Sequence, residues 1–182
     1  MHDLDLTSNH PFHDLHQRHK GTTLSGITTC ALISLATPVD GHETLEREII
    51  NTYGTRLPKC GNSTLSKDGK VRFLGLQKDL NFALIEDPQD WIFESWASSI
   101  KEVGYVTDQS DSWVALRIKG ENVVKILARI CPLDLHISTF PEGSVSRTVM
   151  EHLSVFILRE KKNSFLLMSP RSSSNSVLHA LE

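Results

Sequence analysis

Apolar and polar positions alternate with changing period along this chain, and each change of period marks a predicted element. Cys30-Ala31-Leu32-Ile33-Ser34-Leu35 is a short apolar run suited to a buried strand, and Thr37-Pro38-Val39-Asp40-Gly41 punctuates it. From His42 to Tyr53, Leu45, Ile49 and Ile50 share a helical face opposite glutamates, and Gly54 stands where a helix C-cap is expected. The Pro-, Gly-, Asn-, Ser- and Lys-rich stretch from Leu57 to Lys70 reads as a loop. Val71 to Leu76 and Phe82 to Ile85 follow as strands around a turn at Gln77-Lys78-Asp79. Asp87-Pro88 opens an amphipathic helix that carries Trp91, Ile92, Trp96 and Ile100 and ends near Gly104.

The second half repeats this alternation. Tyr105 to Thr107 and Trp113 to Ile118 read as strands, and Gly120 precedes a helix bearing Val123, Val124, Ile126, Leu127 and Ile130, stopped by Pro132. Leu135 to Ser144 is an irregular loop. Val145 to Val149, Leu153 to Leu158 and Phe165 to Met168 are strands separated by polar turns such as Lys161-Lys162-Asn163. Ser172-Ser173-Ser174 offers N-cap hydroxyls to a last helix through Val177, Leu178 and Leu181. The order βαββαβ, then βαβββα, departs from the strict alternation of a doubly wound sheet. It fits an α+β fold of two fused split-βαβ (ferredoxin-like) units. The expected organisation is a polar, histidine-rich arm over residues 1–22, either disordered or docked on something else, then one half over 23–108 and another over 109–182.

With 182 residues and 39% hydrophobic content, the chain can bury a core. Its net charge of -3 argues against a nucleic-acid partner, which calls for a basic face. Cys30, Cys60 and Cys131 are odd in number and form no C-x-x-C, which points to free thiols in a reducing compartment. Without a basic start followed by an apolar stretch, or a run of roughly 20 apolar residues, the expectation is a cytoplasmic protein with no membrane partner.

Several motifs approach chemistry without completing it. His10, His13, His16 and His19 recur every third residue, which on a helix would gather neighbours for a metal, but Pro11 lies inside the run and a polar arm is the simpler reading. His42-Glu43-x-x-Glu46 has glutamate where a zinc-protease helix needs its second histidine. Ser98-x-x-Lys101 has acyl-enzyme spacing but no partner motif. There is no G-x-G-x-x-G, P-loop or G-x-S-x-G, hence no usual cradle for a dinucleotide or ATP. Trp91 and Trp96, five apart on a helix, flank a core, and Trp113 belongs to the core or to an interface.

The most distinctive stretch is Cys131-Pro132-Leu133-Asp134-Leu135-His136, then Phe140-Pro141-x-Gly143-Ser144-Val145 and Arg147. It continues through His152-Leu153-Ser154-Val155 to Phe165-Leu166-Leu167-Met168-Ser169-Pro170-Arg171-Ser172, with Trp113 to Gly120 upstream. Collinear from about Ser112 onward, this block resembles the gamma subunit of heterotetrameric sarcosine oxidase. Leu57-Pro58, Leu74-Gly75 and Asp79 extend the likeness upstream, but Asn81-Phe82 stands where the family carries a tryptophan.

The resemblance implies a fold similar to the folate-binding portion of aminomethyltransferases. It also implies an accessory place beside alpha, beta and delta subunits in a complex that demethylates sarcosine to glycine, with tetrahydrofolate as one-carbon acceptor. FAD, FMN, NAD, tetrahydrofolate and zinc are then carried by the other subunits, and no catalytic, cofactor or metal residue is expected here. Asp134, His136, Arg147 and Arg171 are the expected subunit contacts, since arginine forks pair well across interfaces. The alternatives are a turn cap after Pro132 for Asp134 and neutralisation of nearby carbonyls for Arg171. The equivalent subunit of N-methylglutamate dehydrogenase, a free-standing folate-binding module and a metalloenzyme built on the histidine arm are the competing functional readings.

Overall fold

The computed structural model describes residues 10–86 and 93–182. Its elements are β1 (His16–His19), β2 (Thr22–Ile27), β3 (Cys30–Ala36), α1 (His42–Tyr53), β4 (Ser63–Leu65), β5 (Val71–Gln77), β6 (Leu80–Glu86), α2 (Phe93–Ser98) and β7 (Tyr105–Asp108). They continue with β8 (Trp113–Gly120), α3 (Val123–Leu127), β9 (Val145–Met150), β10 (Leu153–Lys161), β11 (Ser164–Pro170) and α4 (Ser174–Leu181). The fold is α+β, as expected.

Two antiparallel sheets carry it. One runs β4-β5-β6-β3-β7 and the other β1-β2-β8-β11-β10-β9. In the first, β3 and β5 flank β6, with α1 crossing between them, which is the split-βαβ arrangement. The second repeats it: β8 and β10 flank β11, and α3 lies in the crossover. Even the edges correspond, because β4 adds beside β5 as β9 adds beside β10. The place beside β8 is filled from the start of the chain, where β2 pairs with β8 from Thr22 opposite Gly120 to Ile27 opposite Ala115.

That last pairing changes the reading of the N-terminal stretch. From residue 10 onward it is docked: β1 and β2 form a hairpin, Phe12 is 1% exposed, and the Gly26 amide donates to the Leu15 carbonyl at 2.9 Å. Gly26 is there because a Cβ would collide with the carbonyl and Cβ of Phe12. Gly26→Ala is therefore expected to cost about 2 kcal/mol in urea unfolding and to open residues 10–15 to proteolysis. Unchanged stability and cleavage would contradict this docking.

The core has three layers of contact. Leu45, Ile49, Phe73 and Ile100 pack α1 and the segment after α2 on the first sheet, and Leu116, Val123, Leu127, Ile157 and Val177 pack α3 and α4 on the second. Between the sheets lie Leu32, Leu74, Phe82, Leu84, Phe156, Leu158, Leu166 and Met168. Strands β6, β10 and β11 are buried on both faces, which is why they read as continuous apolar runs.

Local signals held at several places. Gly54 closes α1 in the left-handed region with φ 65°, its amide on the Ile50 carbonyl. Ile50 itself is 38% exposed, off the buried stripe. The helix read through Ile130 ends as helix at Leu127, with Ile126 and Ile130 half-buried on the core. Ser173 makes no side-chain cap bond; a 3-10 turn, Arg171–Ser173, leads into α4 instead. The predicted helix opening at Asp87-Pro88, with Trp91 and Ile92, lies outside the described residues. No helix among the described residues is long and apolar enough to cross a membrane.

Candidate functional site

The junction of the two sheets holds a three-residue ion-pair network. Along β8, Val114, Leu116 and Ile118 face the helices, so Ala115 and Arg117 face the other sheet by strand alternation. Arg117 forks onto Glu160, with Nε to Oε2 at 2.8 Å and Nη2 to Oε1 at 2.6 Å, and also reaches Glu86 Oε2 on β6 at 2.7 Å. Burial pushes the Glu160 carboxyl up, but the Arg117 guanidinium and the Ser164 hydroxyl win and hold it below the ordinary value. Bonding to Glu160, against the cost of burial, raises the affinity of Arg117 for its proton. The nearby Cys30 thiol is pushed up to about 11, by burial first and then by the Glu86 carboxylate, with Arg171 pulling it down, so it is a poor nucleophile.

At one end of the inter-sheet layer a cleft of about 200 Å³ opens beside Trp113, Phe82, Phe156, Gln77, Gln109 and Arg147. Trp113 stacks on Phe156 with centroids 4.1 Å apart and planes at 22°, Phe82 meets Phe156 edge-on at 5.3 Å, and the Arg147 guanidinium lies 5.9 Å from the Phe156 centroid. Trp113 thus belongs to the inter-sheet core and to the cleft wall. The lining offers aromatic faces, amides and a cation, with no carboxylate among the described residues.

The four residues expected at subunit contacts are not gathered into one cluster. Asp134 and His136 sit together on the loop between α3 and β9. The His136 amide donates to Asp134 Oδ1 at 2.9 Å, and that bond, helped by Thr139, holds the exposed Asp134 carboxyl below its ordinary range. The His136 ring contacts the Ser138 hydroxyl at 2.7 Å. Arg147 is exposed on β9, an edge strand, with Nε donating to Ser154 Oγ at 3.3 Å. Arg171 is half-buried and donates to the Asp111 carbonyl at 2.9 Å and its carboxylate at 3.3 Å.

Arg159, which sequence reasoning passed over, is 1% exposed. It donates Nη1 to the Lys162 carbonyl at 2.6 Å and Nη2 to the Leu135 carbonyl, and its Cζ lies 4.5 Å over the Phe165 ring. Through Leu135 it pins the loop carrying Asp134 and His136 onto the second sheet. In the sequence it stands at the end of the run from Val155 to Leu158, beside Glu160, Lys161 and Lys162, where nothing set it apart from a solvated turn; its burial follows from the fold.

The motif tests resolve locally. His16 and His19 lie on a strand, where a spacing of three puts side chains on opposite faces, so the helical premise for a metal face does not hold. Among the described residues no group of three His, Cys, Asp or Glu side chains is placed to hold a metal. His42, Glu43 and Glu46 lie on the polar side of α1.

No family model matches the chain, and no curated protein matches it. Among solved structures it is similar to a chain of the heterotetrameric sarcosine oxidase from Corynebacterium sp. U-96 in complex with pyrrole 2-carboxylate. There the TM-score is 0.78 at 20% identity, covering 96% of this chain and 92% of that one. It is also similar to the glycine cleavage system aminomethyltransferase T from Bartonella henselae, with a TM-score of 0.65 at 15% identity over 88% of this chain. The chain spans 45% of that enzyme. At these identities the likeness shows a shared fold.

Proposed function

We propose that this chain is an accessory subunit of a sarcosine-oxidase-type complex, in the gamma position, with a role in assembly. One observation carries this reading. The chain corresponds nearly end to end with one chain of a heterotetrameric oxidase, 96% against 92%, whereas it matches under half of the aminomethyltransferase. Partner alpha, beta and delta subunits, and FAD, FMN, NAD, tetrahydrofolate and zinc bound on them, belong to the same proposal. The inter-sheet cleft itself is not shaped for a folate. At about 200 Å³ it falls below the roughly 300–1,000 Å³ of small-molecule sites, and its lining among the described residues has no carboxylate to grip a pterin.

Co-expression with the neighbouring alpha, beta and delta chains tests it. One copy of this chain is expected to co-elute with the flavin-bearing subunits, and the chain alone is expected to be colourless. Elution apart from them, or flavin bound to the purified chain, would defeat the reading. Arg147→Glu reverses an exposed charge on an edge strand, so it is expected to weaken co-elution at least about tenfold while shifting unfolding free energy by less than about 0.5 kcal/mol. Undiminished co-elution would remove Arg147 from the interface.

A further inference from the structure

A second cavity, of about 550 Å³, lies on the opposite side of the second sheet from the inter-sheet layer and shares no lining residue with the cleft at Trp113. Its floor is Leu24 against Ile118, direct partners in the β2–β8 ladder and both buried. Ile126 of α3 and Leu181 of α4 form its apolar walls. The cavity exists because α3 and α4 are short, five and eight residues, and leave this end of the sheet uncovered.

The mouth is cationic. Lys20 is held there by the β1–β2 turn, where Lys20 and Gly21 both take positive φ, 44° and 79°. Arg129 follows α3 on another side. Neither cation has an ion-pair partner among the described residues. The carboxylate on the rim, Glu182, accepts a bond from Gln17 at 3.0 Å. Beneath them Thr22, 8% exposed, also lines the cavity, its hydroxyl buried against Gly120. An apolar floor beneath two cations with no ion-pair partner among the described residues is complementary to one ligand shape. The volume is within the range of small-molecule sites.

We propose that this cavity binds a small amphipathic anion, a monocarboxylate with an extended apolar body. The body lies on Leu24, Ile118 and Ile126, and the acid lies between Lys20 and Arg129.

Octanoate and the uncharged 1-octanol serve as probes, titrated calorimetrically into the full chain. Octanoate is expected to bind saturably at one site and at least about tenfold more tightly than octanol, with affinity falling as salt rises. Lys20→Asn combined with Arg129→Gln is expected to weaken octanoate about tenfold or more and leave octanol unchanged. Asparagine is a preferred residue at that position of a two-residue hairpin turn, so this variant keeps the hairpin. Leu181→Trp, which fills the cavity from the end of α4, is expected to abolish binding of both probes. Absence of saturable octanoate binding, equal affinity for octanol, or full affinity in either variant would overturn the proposal.

Discussion

Phe156→Ala is expected to lower the unfolding free energy by about 4 kcal/mol. The ring is 2% exposed in the layer between the sheets, so its removal takes buried area from both halves at once. It also ends the stack with Trp113 and the edge contact with Phe82, worth about another 1 kcal/mol beyond area. The surrounding strands are fixed in two hydrogen-bonded sheets, which limits collapse into the void. Phe156→Leu, which keeps most of the volume, is expected to cost about 1–2 kcal/mol. Urea unfolding followed by tryptophan fluorescence measures both, and near-ultraviolet dichroism reports the lost packing around Trp113. A cost below about 1 kcal/mol for the alanine variant would mean that the two sheets are not held together by this layer.

Much of the architecture was legible because strands buried on both faces write themselves as unbroken apolar runs. In β10 and β11, Leu153 to Leu158 and Phe165 to Met168 stand between polar turns and are too short to compete as helices. Gly54 marked the end of α1 through a backbone conformation that glycine adopts cheaply. The elements that escaped are those whose residues lack a periodic signal. β1, His-Gln-Arg-His, is exposed at every position and is a strand only because β2 offers it a ladder. β4 is three residues inside a turn-rich stretch. Residues Thr22 to Ile27 contain Gly26 and three hydroxyls, and their partner β8 lies about ninety residues away, a pairing that no local pattern encodes.

The candidate site was legible to a smaller degree, for a related reason. Asp134 and His136 stood out by motif, and the turn bond between them is local, so proximity in sequence sufficed. The Asp111 partner of Arg171 is sixty residues away, and the Phe82–Phe156–Trp113 group draws on three strands of two sheets. Clusters of that kind depend on register between elements, which apolar periodicity leaves open. Arg117 illustrates the point. Its neighbours Leu116 and Ile118 predicted a strand, yet only the packing of one sheet on the other explains which carboxylates an inward arginine meets.

Arg117→Leu is expected to cost about 3 kcal/mol near neutral pH, because it strands the largely buried Glu160 carboxylate without its cation. The pH dependence separates this cause from simple loss of packing. In the native protein the Glu160 carboxyl is held below its ordinary value of 4.5, so the pair contributes stability above that value and loses it as pH falls through the depressed titration. Without Arg117 the Ser164 hydroxyl and the Arg72 charge still favour the ionised form, but burial, the largest cause, is then expected to prevail and raise the carboxyl above its unfolded value. The variant's Glu160 then favours folding when protonated and opposes it as pH rises. The stability gap between the two proteins should therefore widen from acid to neutral pH and nearly close in acid. Adding Glu160→Leu to Arg117→Leu is expected to recover most of the loss, since a buried pair replaced by apolar groups is often close to neutral. Urea midpoints across that range decide the matter: a gap that stays constant with pH, or a double variant as unstable as the single, would show that the arginine acts through its aliphatic stem alone.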